Sequence, residues 1–344
     1  PRATFPAGAR AWTFSNEKFL KGAQWLNYGK LRFSWGVNGN RDIGQYKALS
    51  NMTASKHAFI NQQGSPYVTT QIYVSSMANK DLKWERTEAF NIGLDFAMFN
   101  NRINGSIEAY NSQTHDLLVS RSLPKITGYT NVTANLGKLA NNGLEVTLNG
   151  DIVKGRDFTW NSGVAFSLNR RKILSLYGDM TDVLDENGNV IGQKEVDDPS
   201  NNWFIGHDPD QIWEYVRDGV WQADEAAEAK KYGCLPGDLK YVDQNGDGVM
   251  NNDDKVFQGY TTPRFFVSWR NEWRWKNWSA TMMIYSRLGQ YRTYNRAANA
   301  ASMLDRYTYY DVPYWTWDNP SDTYGRLGSK NIATNYLRRS ASRA

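Results

Sequence analysis

Apolar and polar side chains alternate at every second position of this chain, in segments paired across short turns, and little else about it constrains the fold as strongly. Leu31, Phe33, Trp35 and Val37 share one side of an extended segment, with Arg32, Ser34, Gly36 and Asn38 on the other. The pattern returns at Ile92/Leu94/Phe96/Met98, Ile103/Gly105/Ile107/Ala109 and Leu144/Val146/Leu148. It returns again at Trp160/Ser162/Val164/Phe166/Leu168, Phe265/Val267/Trp269 and Trp278/Ala280/Met282/Ile284. Side chains of a strand point alternately to opposite faces, a period a helix cannot use. Each segment is therefore a strand with one apolar and one polar face, as in a soluble sandwich or a membrane barrel.

Turn chemistry favours the barrel. Four hairpins are expected: 9–14 with 28–37, 84–99 with 102–110, 143–151 with 158–168, and 265–275 with 278–288. The last three close across Asn100-Asn101, Lys154-Gly155-Arg156 and Lys276-Asn277, and Asn and Gly tolerate the backbone that tight hairpin turns need. Long connections at 38–83, 111–142, 169–263 and 289–335 alternate with the turns. Compact soluble domains have mostly short loops, whereas outer-membrane barrels place short turns at one end and long loops at the other. Trp25, Tyr28, Phe96, Phe99, Trp273, Trp275 and Trp278 fall near predicted strand ends, where amphipathic rings suit the headgroup layer.

Mean hydropathy is -0.66, and no run approaches the roughly 20 apolar residues of a spanning helix. That excludes helical spans and leaves barrels open, since only alternate barrel residues face lipid. The 40 Lys+Arg and 35 Asp+Glu give a formal charge of +5 without a concentrated basic patch, so no nucleic-acid partner is expected. Arg338-Arg339 reads as a solvated turn. The single cysteine, Cys234, reads as a packed thiol. The opening Pro1-Arg2-Ala3 and the closing 336–339 segment both read as cut ends.

One motif carries specific chemistry. Asp243, Asn245 and Asp247 occupy positions one, three and five of a calcium-loop spacing, with Gly248 at six, Val249 offering a carbonyl at seven, Asn251 at nine and Asp254 at twelve. Calcium takes six to eight oxygen ligands, and the final Asp in place of the usual Glu implies a weak structural site of about 10⁻⁴ M. The alternative is a polar turn without metal. Residues 224–233 read as a short helix stopped by Gly233. His57, His115 and His207 lack zinc spacing. Asp182/Asp185/Glu186 and Glu195/Asp197/Asp198 read as solvated loop acids rather than a glycosidase carboxylate pair. No catalytic residues are expected, and the chain does not read as an enzyme.

A set of ordered stretches resembles the C-terminal part of SusC-like TonB-dependent outer-membrane transporters of Bacteroidetes. They are 82–95 (LKWERTEAFNIGLD), 101–110 (NRINGSIEAY), 123–128 (LPKITG), 135–145 (NLGKLANNGLE), 219–222 (GVWQ), 236–248 (PGDLKYVDQNGDG), 256–259 (VFQG) and Pro263. Each is modest alone; in order, over nearly the whole chain, they are specific. The resemblance implies an all-β antiparallel transmembrane barrel fragment, about eight strands of roughly 22, with long extracellular loops. On that reading residues 1–344 are the C-terminal part of the barrel. Residues 170–262 are a long extracellular loop region with the helix and calcium motif, and the plug domain lies outside this chain.

The resemblance implies outer-membrane, TonB-dependent uptake of oligosaccharides, or of peptides. Its partners are a SusD-like surface lipoprotein, TonB through segments not in this chain, the remaining strands and plug, the cargo and membrane lipid. Trp203, Trp213, Trp221, Trp315 and Trp317 are the candidate cargo-stacking residues, against simple loop packing. The competing expectations are a calcium-stabilised, surface-attached carbohydrate-binding β-protein and a glycoside hydrolase.

Overall fold

The computed structural model describes residues 4–40, 49–123, 125–129, 131–185, 187–293, 313–327 and 337–339. β1 (Ala7–Trp12) leads through two 3-10 turns to β2 (Leu26–Asn40). β3 (Asn51–Ile60) and β4 (Pro66–Ser76) form a hairpin of their own before β5 (Glu85–Met98) and β6 (Ile103–His115). β7 (Leu118–Ser122) and β8 (Asn131–Asn135) pair similarly ahead of β9 (Lys138–Lys154) and β10 (Phe158–Ser175). β11 (Met180–Leu184) and β12 (Val190–Glu195) make another hairpin. Then come β13 (Gln211–Tyr215), β14 (Arg217–Val220), helix α1 (Ala226–Lys231), β15 (Leu239–Tyr241) and β16 (Lys255–Tyr260). β17 (Phe265–Trp275), β18 (Trp278–Leu288), β19 (Tyr291–Thr293) and β20 (Leu337–Arg339) complete the described strands.

Eight strands form one sheet in the order β1-β2-β5-β6-β9-β10-β17-β18. The four expected hairpins are its neighbouring strands. At the β5–β6 turn Phe99, Asn100 and Asn101 all have positive φ, and at the β17–β18 turn Lys276 does. Gly155 N donates to Phe158 O across the β9–β10 turn. The chain divides into two compact units, residues 1–163 with 169–209 and residues 164–168 with 210–344.

Register fixes what each face carries. In the first unit Leu31 lies opposite Leu94, Leu94 opposite Ile107 and Ile107 opposite Val146. Phe33, Ile92, Ala109 and Leu144 form the next row. Of these side chains Leu31, Phe33, Ile92 and Ile107 are exposed at 37%, 44%, 42% and 40%, and Leu94, Val146, Ala109 and Leu144 are half-buried. In the second unit Trp269 and Met282 are exposed on one face, where Asn271, opposite Met282, is buried. A sandwich would seal such rows under a second layer. Instead, the buried hydrophobic residues are Ala140, on the same face nearer the loops, and Ile173, Leu176, Tyr215, Val220, Trp221, Ala229, Leu239 and Trp315 outside these rows. No helix among the described residues is long and apolar enough to cross a membrane.

Three sequence expectations change. The connections at 38–83, 111–142 and 169–263 contain the hairpins β3–β4, β7–β8 and β11–β12, whose alternation is too short or too mixed to stand out. Arg338 and Arg339 pair in β20 with Arg292 and Tyr291 rather than forming a turn. Glu186, Pro124 and most of the 289–335 connection lie outside the described residues. Around residues 224–233 the structure has a 3-10 turn (Ala223–Glu225) running into α1, with Gly233 at φ 69° just beyond.

Candidate functional site

The polar face of the wall is organised by Arg32. Its guanidinium donates to Asp95 through Nε (2.8 Å) and Nη2 (3.0 Å), a two-point pair, and through Nη1 to Glu108 at 3.4 Å. Asn91 Nδ2 donates to the same Glu108 oxygen at 2.8 Å. Arg32 faces Gly93 across the β2–β5 ladder, and a Cβ on Gly93 would stand 2.9 Å from Nη2. Gly93 thus lets the arginine lie flat and span three strands. Tyr110 lies over Gly143 in the same way. On the apolar face, Trp35 Nε1 donates to Glu88 Oε1 at 2.7 Å, near the loop end of the strands.

The loops of the first unit are built around carboxylates. Asp198 accepts from Tyr177 Oη (2.7 Å), Ser200 Oγ (2.5 Å) and Asn201 Nδ2 (2.7 Å). Glu195 Oε1 accepts from Leu176 N at 2.6 Å and Gly178 N at 2.8 Å, and Asp197 accepts from Ile205 N at 2.7 Å. Burial raises the Glu195 and Asp198 carboxyl pKa values, but these hydrogen bonds outweigh it and leave both below the usual range. Burial and the bond to Asp198 push the Tyr177 phenol up to about 12. Of the acids expected to be solvated, Glu195, Asp197 and Asp198 are therefore half-buried organisers of loop backbone, whereas Asp182 is exposed.

In the second unit Val220, Leu239 and Trp315 form a buried cluster with Tyr241 and Tyr324 against it. The segment 313–327 is stitched to residues about 100 positions earlier. Trp315 Nε1 donates to Gln222 Oε1 (3.0 Å), Arg326 Nε to the buried Asp238 (2.9 Å), Arg217 Nη1 to Thr323 O (2.9 Å) and Val220 N to Asp322 Oδ1 (3.1 Å). Trp221 is buried between Tyr232, stacked at 5.9 Å, and the Lys240 ammonium, 4.7 Å from its ring.

Residues 243–254 form a turn closed by their own hydrogen bonds. Asp243 accepts from Gly246 N (2.7 Å) and Gly248 N (2.8 Å), Asn245 from Asp247 N (3.0 Å) and Asp247 from Val249 N (2.7 Å). Asn251 accepts from Asp253 N (2.7 Å). Asp254, fully buried, accepts from Gln244 N (2.9 Å) and Asn251 N (2.8 Å). Gly248 has φ 78°, the left-handed conformation that position six requires. The donor types suit calcium. Among the described residues, however, no three His, Cys, Asp or Glu side chains are gathered at one point to hold a metal.

The family model for the TonB dependent receptor-like β-barrel matches residues 22–285, most of the chain. This chain belongs to the TonB-dependent receptor β-barrel family. Its two-faced antiparallel sheet is a sector of such an outer-membrane barrel. TonB-dependent receptor P3 of Formosa agariphila is 30% identical over 83% of this chain and 28% of its own length. TonB-dependent receptor SusC of Bacteroides thetaiotaomicron is 28% identical over 98% of this chain and 33% of its own length. The chain thus spans about a third of the curated relatives it matches. Among solved structures, the RagAB peptide importer in the 'closed-closed' state shares the fold, with TM-score 0.71 and 23% identity over 97% of this chain and 35% of that one.

As a TonB-dependent receptor barrel, the molecule separates the five tryptophans singled out in its sequence. Trp221 and Trp315 are packing residues, their faces taken by neighbours. Trp213 is half-buried in β13 and Trp203 half-buried in a bridge to Asp198. Trp317 is 73% exposed, standing edge-on to Trp315 at 5.2 Å on a turn closed by Asn319. The sequence gives no sign of the Asp238–Arg326 and Gln222–Trp315 pairs, whose members lie roughly 90 positions apart.

Proposed function

We propose that this chain forms one sector of the wall, with its external loops, of an outer-membrane importer that takes up oligosaccharides in a TonB-dependent cycle. The observation that carries this reading is the pairing of an uncovered apolar face with a polar face bearing the Arg32–Asp95–Glu108 network. Open sheet edges do not persist in lipid, so the remaining strands and the plug come from the rest of the protein. A SusD-like lipoprotein caps the loops, and TonB engages segments outside this chain. The cargo undergoes no covalent change, consistent with a receptor family rather than an enzyme family.

Trp317 supports sugar as cargo. An indole that stands edge-on to Trp315 and is otherwise open suits the apolar face of a pyranose, with the neighbouring Asp318 and Asn319 able to bond hydroxyls. A peptide is the second reading, favoured by the fold shared with the RagAB peptide importer. The test uses the full-length receptor with its lipoprotein, titrated with labelled oligosaccharides and peptides. Trp317→Ala is expected to weaken oligosaccharide binding about tenfold, or about 1.4 kcal/mol. Binding of peptides alone would replace the sugar reading.

Calcium is proposed as a stiffener of this loop region, held by Asp243, Asn245, Asp247, Asn251, Asp254 and the Val249 carbonyl. The spacing and the left-handed Gly248 support it. Calcium at millimolar concentration is expected to slow proteolysis within 241–259, and Asp247→Ala to abolish the effect. Identical cleavage with calcium and with chelator would leave a metal-free turn.

A further inference from the structure

A charge stands within an apolar row of the wall. Arg10 of β1 lies opposite Phe33, Phe33 opposite Ile92, Ile92 opposite Ala109 and Ala109 opposite Leu144. Cross-strand partners project to the same side, so Arg10 joins an outward row of four apolar side chains. Its neighbours Ala9 and Ala11 point to the polar side. Arg10 is exposed and makes no ion pair or hydrogen bond through its side chain among the described residues.

A guanidinium does not shed its proton in a protein. On a barrel's lipid face it is strongly destabilising at the bilayer centre and nearly neutral at the interface. Its head must therefore leave the hydrocarbon. Toward the turns, the next outward position is Trp12, whose Nε1 is bonded to Glu17 Oε1 at 2.9 Å. Toward the loops, the next outward position is Gly8, where an added Cβ would meet nothing within 4 Å. That row continues through Trp35 and Phe90 to Asn111 and Asn142, where polar residues begin. The row beyond it contains Glu88 and Gln113 between Val37 and Ala140. Rows are two residues apart, about 6.8 Å along a strand. An arginine stem lying along apolar surface can place its head across that distance.

We infer that Arg10 is a lipid-binding site: its guanidinium passes over Gly8 to the headgroup layer and holds a lipid phosphate. A guanidinium offers a phosphate two parallel N–H bonds, which a neutral headgroup cannot match. Gly8 keeps the route open, and the carboxylate nearest along the chain, Glu17, already serves Trp12.

The test compares the full-length receptor with its Arg10→Leu and Arg10→Lys forms, each checked for folding by heat-dependent mobility in detergent. Delipidated protein is titrated with phosphatidylglycerol or with a phosphate-free galactolipid of the same chains, and bound lipid is counted by native mass spectrometry. The parent protein should prefer phosphatidylglycerol about fivefold more than Arg10→Leu does, and Arg10→Lys should fall between. The same preference in parent and Arg10→Leu would overturn the inference. So would a thermal destabilisation of Arg10→Leu that is equal in both lipids, which would point to a carboxylate on the strand pairing with the free edge of β1.

Discussion

Two single residues show how local geometry depends on distant partners. Gly93 matters because Arg32 needs its space to reach both Asp95 and Glu108. Trp315 matters because its ring fills the Val220–Leu239 cluster while its Nε1 satisfies Gln222. Trp315→Ala removes the largest side chain of that cluster and should cost about 3–5 kcal/mol of local stability. Hydrogen exchange should speed up across 217–241 and 313–327 and stay unchanged in β5, β6 and β9. Uniform acceleration would show that the cluster supports the wall as well. The indole was legible as a candidate for cargo contact from its aromatic-rich surroundings. That it is buried was not, because its packing partners lie about 75 to 95 positions earlier in the chain.

At the scale of elements, the long loops acquire order from carboxylates that cap backbone. Glu195 and Asp198 titrate below their ordinary values, so each contributes stability above the unfolded pKa that is lost as pH falls through the folded one. Tyr177 has the opposite sign: raised to about 12 from 10.0, it contributes below pH 10 and loses that contribution as pH rises through 12. Protease resistance of residues 175–205 should therefore form a plateau from about pH 5 to 10 and fall on both sides. Glu195→Gln should flatten the acid limb without moving the alkaline one. A resistance profile without an acid limb would remove Glu195 and Asp198 from this role. The β5–β6, β9–β10 and β17–β18 hairpins were readable because alternation and Asn/Gly turns are local signals. The β3–β4, β7–β8 and β11–β12 hairpins were not, since their alternation is too short or too mixed to mark a two-faced strand.

At the scale of the whole molecule, membership in the TonB-dependent receptor β-barrel family and the open apolar rows place one face against lipid. Cysteines at Leu94, Val146 and Met282 of the full-length receptor should react with a lipid-soluble maleimide and resist a water-soluble one. Cysteines at Ser106 and Thr147, on the opposite face, should show the reverse. Equal water-soluble labelling of both sets would remove the bilayer from the account.

The alternation of side chains by itself determined that this chain makes two-faced antiparallel strands joined by tight turns, because strand geometry converts a period of two directly into faces. Only the tertiary structure decided that the apolar face stays bare and which loop residues meet. Burial and long-range pairing depend on what lies across the sheet or a hundred residues away. It alone revealed that Arg10 shares a row with Phe33, since register is fixed by neighbouring strands and not by the segment that carries the charge.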